Sequence, residues 1–186
     1  MPSRKKKLLL TAMLCALAAA VGYIFLYIPN VEFITAAVFI NGYILGRGYG
    51  TIAAIVTELL FSGFNPMGVP APPLLLAQVA SFALVGYMGG LVSTRRWQNF
   101  NNSLKIAYFG MQGFTLTVIY DILTTLSYTL FLAGSDWKKI LAGFIPGMGF
   151  LVIHMLVNTI SFALIVPVVL ERMDRMATSP ETKSSH

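Results

Sequence analysis

Three ionisable side chains lie inside long apolar stretches of this chain and are the first candidates for chemistry. Asp121 lies within the apolar run 104–133, and Glu58 and His154 lie in two other apolar segments. A charged side chain in hydrocarbon costs about 3 kcal/mol or more, so such residues face a protein interior or a wet cavity and often mark a binding or transport path. The chemistry these residues predict is therefore the binding of a polar small molecule.

Other polar side chains follow the same segments and extend this candidate site. His154 and Asn158 are four residues apart, so on a helix they share one face. The position of each polar residue within its apolar segment gives its depth in a membrane-spanning helical bundle. Counted this way, the polar groups collect in the central part of the bundle and toward the side away from the cytoplasm. The predicted substrate-binding residues are Asp121, His154, Asn158, Glu58, Gln78, Asn65, Tyr120 and Tyr128.

Each of the main candidates also has a purely structural interpretation. Asp121 could be satisfied by a nearby threonine or by His154, with no ligand involved. Glu58 could reach the outer membrane interface. His154 and Asn158 could bridge helices through hydrogen bonds, as polar side chains do in membrane bundles. The sequence leaves both interpretations open for each residue.

Motifs for catalysis, metal binding or nucleotide binding are absent from the sequence. It contains no Gly-x-Ser-x-Gly, no His-Glu-x-x-His and no phosphate loop. The histidines are His154 and His186, and together with Cys15 they form no metal-ligand spacing. We therefore expect a binding protein without catalytic residues, cofactor or metal.

The composition predicts the kind of structure that holds these residues. Hydrophobic residues make up 56% of the 186 and charged residues only 11%, against about 25% charged in a soluble domain. The net charge of +6 comes from basic residues at segment ends, which fits a membrane protein better than a nucleic-acid-binding surface. We expect one integral membrane domain over residues 1–175, followed by a polar, disordered tail at 176–186.

Six apolar segments predict an all-α bundle of six transmembrane helices. The first is twenty residues long, which favours a retained helix over a cleaved signal peptide with its core of about 7–15 residues. The second and third are short for a membrane span. The segments are Leu8–Tyr27, Glu32–Leu45, Tyr49–Phe61, Leu74–Val92, Leu104–Ala133 and Ile140–Val169.

The distribution of basic residues predicts the orientation. With six spans, all but Lys138 and Lys139 of the 13 lysines and arginines fall on the side of the N-terminus. By the positive-inside rule, both termini then lie in the cytoplasm, and the expected location is a prokaryotic cytoplasmic (inner) membrane.

Two further features concern surfaces rather than the polar residues. The Gly- and Pro-rich loop Ser62–Pro73 could be a lid over a pocket or only a connector. In the first segment, Ala12, Ala16 and Ala20 form a row of small residues four apart, on which another helix can pack closely. That helix could belong to a partner or to the same bundle.

Taken together, the chain resembles the substrate-binding S components of the energy-coupling factor (ECF) vitamin transporters. The resemblance rests on chain size, six spans with both ends inside, the alanine row, the loop before the fourth helix, and the stretches GFNPMGVPAPPLLLAQVASFALVGYMGG and IYDILTT. It implies high-affinity capture of a vitamin-like micronutrient in an outward pocket formed by the outer ends of helices four to six and the loop Ser62–Pro73. It also implies that the chain associates with a membrane T component and two ATPases. The T component would be contacted through Ala12, Ala16 and Ala20.

The resemblance also bears on the substrate and leaves one alternative function. The N-terminus, MPSRKKK, lacks the metal site of the cobalt and nickel relatives, which argues against a metal-ion substrate. Two acids in the pocket region favour a cationic or donor-rich heterocycle. The alternative is a small non-transporting membrane scaffold or assembly protein, which needs no buried acids beside a cavity.

Overall fold

In the computed structural model, which describes residues 4–29, 31–94, 97–134, 136–145 and 147–178, all regular structure is helical. This confirms the predicted all-α class for that part of the chain. A short 3₁₀ turn precedes the fourth α-helix. The α-helices are α1 (Arg4–Phe25), α2 (Ile34–Gly63), α3 (Pro72–Val92), α4 (Asn102–Ala133), α5 (Trp137–Phe144) and α6 (Met148–Thr178).

Five of these helices, α1, α2, α3, α4 and α6, are long and apolar enough to cross a membrane. Lipid offers no hydrogen-bond partner to an exposed backbone, so continuous helices are the economical way to satisfy the peptide groups. The predicted multi-pass membrane protein is therefore confirmed at the level of helix length and composition.

Helix α2 is not straight, because the chain turns back on itself at Gly46. This residue has φ 76° and ψ 170°, a backbone conformation that glycine adopts without steric cost. A Cβ built on Gly50 would lie 2.6 Å from the Cα of Gly42, although eight residues of straight helix would separate these positions by about 12 Å. The arms 34–45 and 47–63 therefore run antiparallel, and they correspond to the predicted second and third segments.

Helix α1 packs against both arms of this hairpin. The Asn41 side chain donates a hydrogen bond to the Leu14 carbonyl over 3.0 Å, and the Cys15 thiol donates to the Ala53 carbonyl over 3.4 Å. With α2 counted as two arms, six helical stretches run along the bundle, in addition to the short α5.

Glycines bring α2 and α3 into backbone contact. A Cβ on Gly42 would overlap the carbonyl oxygen of Gly86, and a Cβ on Gly89 would overlap the carbonyl oxygen of Phe39. Small residues at helix crossings in membranes allow such close approach and replace the hydrophobic effect with dense packing.

The first turns of α1 and the last turns of α6 lie at the same end of the bundle, where two lysines make contacts between helices. Lys7 Nζ lies 4.1 Å from the Tyr49 ring centroid, just after the Gly46 turn. At the same end Lys105 Nζ pairs with Glu171 Oε1 at 2.6 Å. We call this the basic end; the α1–α2 connection, the loop between α2 and α3, and α5 lie at the opposite end.

The last predicted segment, Ile140–Val169, has the wrong boundaries. Helix α5 ends at Phe144, and α6 begins at Met148 after the sequence Pro146-Gly147, which disfavours a continuous helix. Helix α6 also continues to Thr178, past the predicted start of the tail at residue 176. The remaining tail residues, 179–186, lie outside the described residues.

The glycine contact between α2 and α3 yields a stability prediction. Gly42→Ala should lower the free energy of unfolding by about 1–3 kcal/mol or more, because the new methyl group meets the Gly86 backbone. The matched control is Gly48→Ala, where a Cβ meets nothing within 4 Å and alanine favours the helix by up to about 1 kcal/mol. Thermal unfolding in detergent compares the two variants, and equal melting temperatures would contradict the close approach.

Candidate functional site

A partly open cavity of about 290 Å³ lies at the end of the bundle opposite the basic end. One wall is polar and combines three elements: Glu32 from the α1–α2 connection, Tyr120 and Asp121 from α4, and His154 from α6. The predicted pocket beside Asp121 is therefore present as a space, and it draws on the central part of α4 and the first turns of α6.

The rest of the cavity lining is mostly apolar. It comes from the end of α1, the following connection and the end of α2, with Phe25, Leu26, Ile28, Val31 and Phe61 as its larger side chains. Tyr23 fixes the end of α1 to the second arm of α2, because its hydroxyl contacts the carbonyl oxygens of Leu60 and Phe61 at 3.0 and 2.9 Å.

His154 connects the carboxylates of the polar wall. Its Nδ1 lies 2.8 Å from Asp121 Oδ1, and its Nε2 lies 3.5 Å from Glu32 Oε1. Asn158, one turn further along α6, donates to Glu32 Oε1 over 2.9 Å and places the same amide nitrogen 3.1 Å from His154 Nε2. The spacing of four residues thus puts His154 and Asn158 on one face, as predicted.

Glu32 is the site residue that the sequence analysis missed, because it was treated only as the start of an apolar segment. Its carboxylate accepts hydrogen bonds from the Thr35 hydroxyl at 2.6 Å and from the Thr35 backbone N–H at 3.0 Å, in the first turn of α2. Burial acts to raise the pKa of the Glu32 carboxyl, but the hydrogen bonds from His154 and Thr35 outweigh it and lower the pKa below its usual value. An acid at the head of an apolar segment was the available signal.

Tyr120 and Gln78 also belong to this region. The Gln78 side-chain amide donates to the Tyr120 hydroxyl over 3.3 Å and connects α3 to α4. The Tyr120 ring meets the His154 ring nearly edge-on, with centroids 5.8 Å apart.

Glu58 lies behind the cavity wall rather than at the outer interface. It is only 2% exposed and accepts a hydrogen bond from the Ser62 hydroxyl at 2.6 Å. It is not among the cavity-lining residues.

Of the eight predicted site residues, Asp121, His154 and Tyr120 line the cavity, and the other five do not. Asn158, Gln78 and Glu58 lie behind the lining, whereas Tyr128 and Asn65 have no link to it. Tyr128 is 48% exposed and lies two helical turns, about 10 Å, beyond Asp121 along α4. Asn65 accepts a hydrogen bond from the Met67 backbone N–H at 2.9 Å and so stabilises its own loop.

The loop Ser62–Pro73, all of which the structure describes, contributes no residue to the cavity lining. It connects α2 to α3, and the α1–α2 connection supplies lining residues instead. Proline-rich sequence indicated an extended loop but carried no information about which surface the loop covers.

The arrangement is suited to hydrogen bonding and charge recognition. Within the described residues, no three side chains of His, Cys, Asp or Glu are grouped as metal ligands. The cavity instead offers two carboxylates and an imidazole on one side and an apolar surface on the other.

The alanine row lies on the exposed face of α1. Ala12, Ala16 and Ala20 are exposed, whereas Cys15 and Ala18 on the other face are buried against the hairpin. The internal-packing interpretation of the row is therefore wrong for this structure.

Comparisons of the chain with protein-family models, with curated proteins and with solved structures found no significant match.

The network around His154 predicts a loss of stability when the imidazole is removed. His154→Phe should lower the free energy of unfolding by about 1–3 kcal/mol, because it leaves the buried Asp121 carboxylate without its partner, whereas Asn158 keeps its hydrogen bond to Glu32. Melting curves of the purified protein measure the change. Tyr128→Phe is the control, and a melting temperature equal to that of the control would contradict the bridging role.

Proposed function

We propose that this protein is the substrate-capture subunit, or S component, of an ECF-type importer in a prokaryotic cytoplasmic membrane. It crosses the membrane six times with both termini in the cytoplasm. It binds a vitamin-like micronutrient in the cavity beside Asp121 and His154, and a T component with two ATPases supplies the energy for release inside the cell.

The single observation that carries the proposal is the cavity beside the polar wall of Glu32, Tyr120, Asp121 and His154. Asp121 is 6% exposed, and only one of its carboxylate oxygens has a hydrogen-bond partner. A carboxylate held this way beside an open space is costly for a protein that needs only to fold, and ligand binding supplies a reason for the cost. A scaffold would be expected to fill this space with apolar side chains.

Charge and chain direction support the proposed topology. Six helical arms return the chain to the end where it began, and the basic residues of that end include Arg4, Lys7, Arg47 and Lys105. Under the positive-inside rule that end faces the cytoplasm, so the cavity at the other end opens toward the outside.

The exposed face of α1 supports the proposed assembly. Ala12, Ala16 and Ala20 leave a shallow strip between larger exposed side chains such as Met13 and Leu17, at 62% and 61%. A helix of a T component can approach closely along such a strip, and lateral packing of this kind would let the whole subunit reorient against its partner.

The topology is tested by cysteine labelling on a Cys15→Ser background. Arg47 and Lys138 are both exposed and lie at opposite ends of the bundle. An impermeant maleimide should label Lys138→Cys in intact cells and should label Arg47→Cys only after permeabilisation. The reverse pattern would overturn the proposed orientation.

The assembly is tested by adding bulk to the alanine row. Ala16→Leu should reduce co-purification with the T component and ATPases, because the larger side chain separates the helices, while the isolated subunit melts as before. Ala18→Leu is the contrast: Ala18 is 1% exposed, so overpacking should cost about 1–3 kcal/mol of stability. If the subunit fails to associate with any T component and supports no uptake, the scaffold function is favoured instead.

A further inference from the structure

The buried polar atoms without partners are concentrated at the cavity, and they share one chemical character. Of the five such side-chain atoms in the described part of the chain, three belong to residues of the polar wall or bonded to it: Asp121 Oδ2, Asn158 Oδ1 and Gln78 Oε1. All three are hydrogen-bond acceptors. The other two, Thr57 Oγ1 and Trp97 Nε1, belong to other parts of the bundle.

One of these three acceptors lines the cavity, and the other two lie directly behind its lining. Asp121 lines it, Asn158 is bonded to the lining residue Glu32, and Gln78 is bonded to the lining residue Tyr120. Asn158 is fully buried, and its orientation is fixed because its amide nitrogen must donate to the Glu32 carboxylate. Its oxygen therefore stays an acceptor. Buried acceptors are costly when unpaired, so the missing groups are donors.

The polar wall also carries a net negative charge, which favours hydrogen-bond donors and cations. Glu32 and Asp121 both line the cavity, and His154 is the basic group between them. Even with a proton on both ring nitrogens, His154 supplies one positive charge against two carboxylates. The buried Glu58 carboxyl stands behind the same wall. A cation is attracted to this wall and an anion is repelled.

The apolar lining residues limit the shape of the ligand. Phe25, Val31 and Phe61 offer an apolar surface in the same cavity as the carboxylates. A cavity that presents hydrogen-bond acceptors and an apolar surface fits a molecule with a flat hydrophobic ring and hydrogen-bond donors along one edge.

From these observations we propose that the cavity binds a planar cation that presents N–H donors to the Asp121 and Glu32 carboxylates, with its ring against the apolar lining residues. The ligand class is a protonated amine, amidine or aminated heterocycle rather than a carboxylate or phosphate. This inference rests on the proposed function and specifies its substrate.

The test uses three probes of nearly equal shape: benzamidine as the cation with N–H donors, benzamide as the neutral amide, and benzoate as the anion. Each is titrated into the purified full chain in lipid nanodiscs at fixed ionic strength, and binding is measured by calorimetry and ligand-observed NMR. Benzamidine should bind most tightly, and benzoate should bind at least about tenfold more weakly.

Two variants then locate the binding. Asp121→Asn keeps the shape of the side chain and removes its charge, and it should weaken benzamidine about tenfold or more while affecting benzamide less. Tyr128→Phe, two turns away, should leave all three affinities unchanged. If Asp121→Asn does not yield folded protein, the order of the three probes on the unmodified chain decides alone.

Three results would overturn the inference: no binding of benzamidine, benzoate binding as tight as benzamidine, or an unchanged benzamidine affinity in folded Asp121→Asn. None of these measurements involves a T component. Failure here together with intact T-component association would leave the importer function standing with another substrate class. Donor-selective binding without association would retain the ligand site and reject the importer.

Discussion

The arrangement of the site depends on one hydrogen bond, between Asp121 on α4 and His154 on α6. In a bundle with little charge, a carboxylate in mid-helix needs a partner that stays in place, and His154 Nδ1 at 2.8 Å provides it. The same imidazole reaches toward Glu32, so the α1–α2 connection is drawn to the two long helices. The apolar side chains of that connection then line the cavity beside the polar groups, and a contact between two polar groups becomes the organising element of a mostly apolar protein.

The fold could be predicted from the sequence where it depends on local chain properties. Apolar segment lengths predicted helices, and Gly46 with its neighbours predicted the break in α2. The final segment was mispredicted because hydropathy averages over Pro146-Gly147, whereas a helix responds to the individual residue. Backbone contact between α2 and α3 was not predicted, since glycines are common in membrane helices and their positions alone do not say which helix lies opposite.

The site could be predicted only in part, for a geometric reason. Depth along a helix can be counted from the sequence, so Asp121, His154 and Asn158 were placed at compatible heights, and the structure brings them together. Which short connection folds over a cavity depends on tertiary contacts. Glu32 was therefore missed, whereas Asn65, which lies in a more conspicuous loop, was included although it does not line the cavity.

The hairpin of α2 has a consequence for the surrounding bilayer. Its second arm, 47–63, exposes Ile52, Val56 and Leu59, and at 1.5 Å per residue it is about 25 Å long, several ångströms short of a hydrocarbon core of about 30 Å. In the proposed six-span topology, the bilayer beside this arm has to thin, whereas beside the longer α4 and α6 it need not. That topology thus implies a thinned lipid annulus on one flank, and hydrophobic mismatch of this kind favours contact with other membrane-embedded chains on the same side.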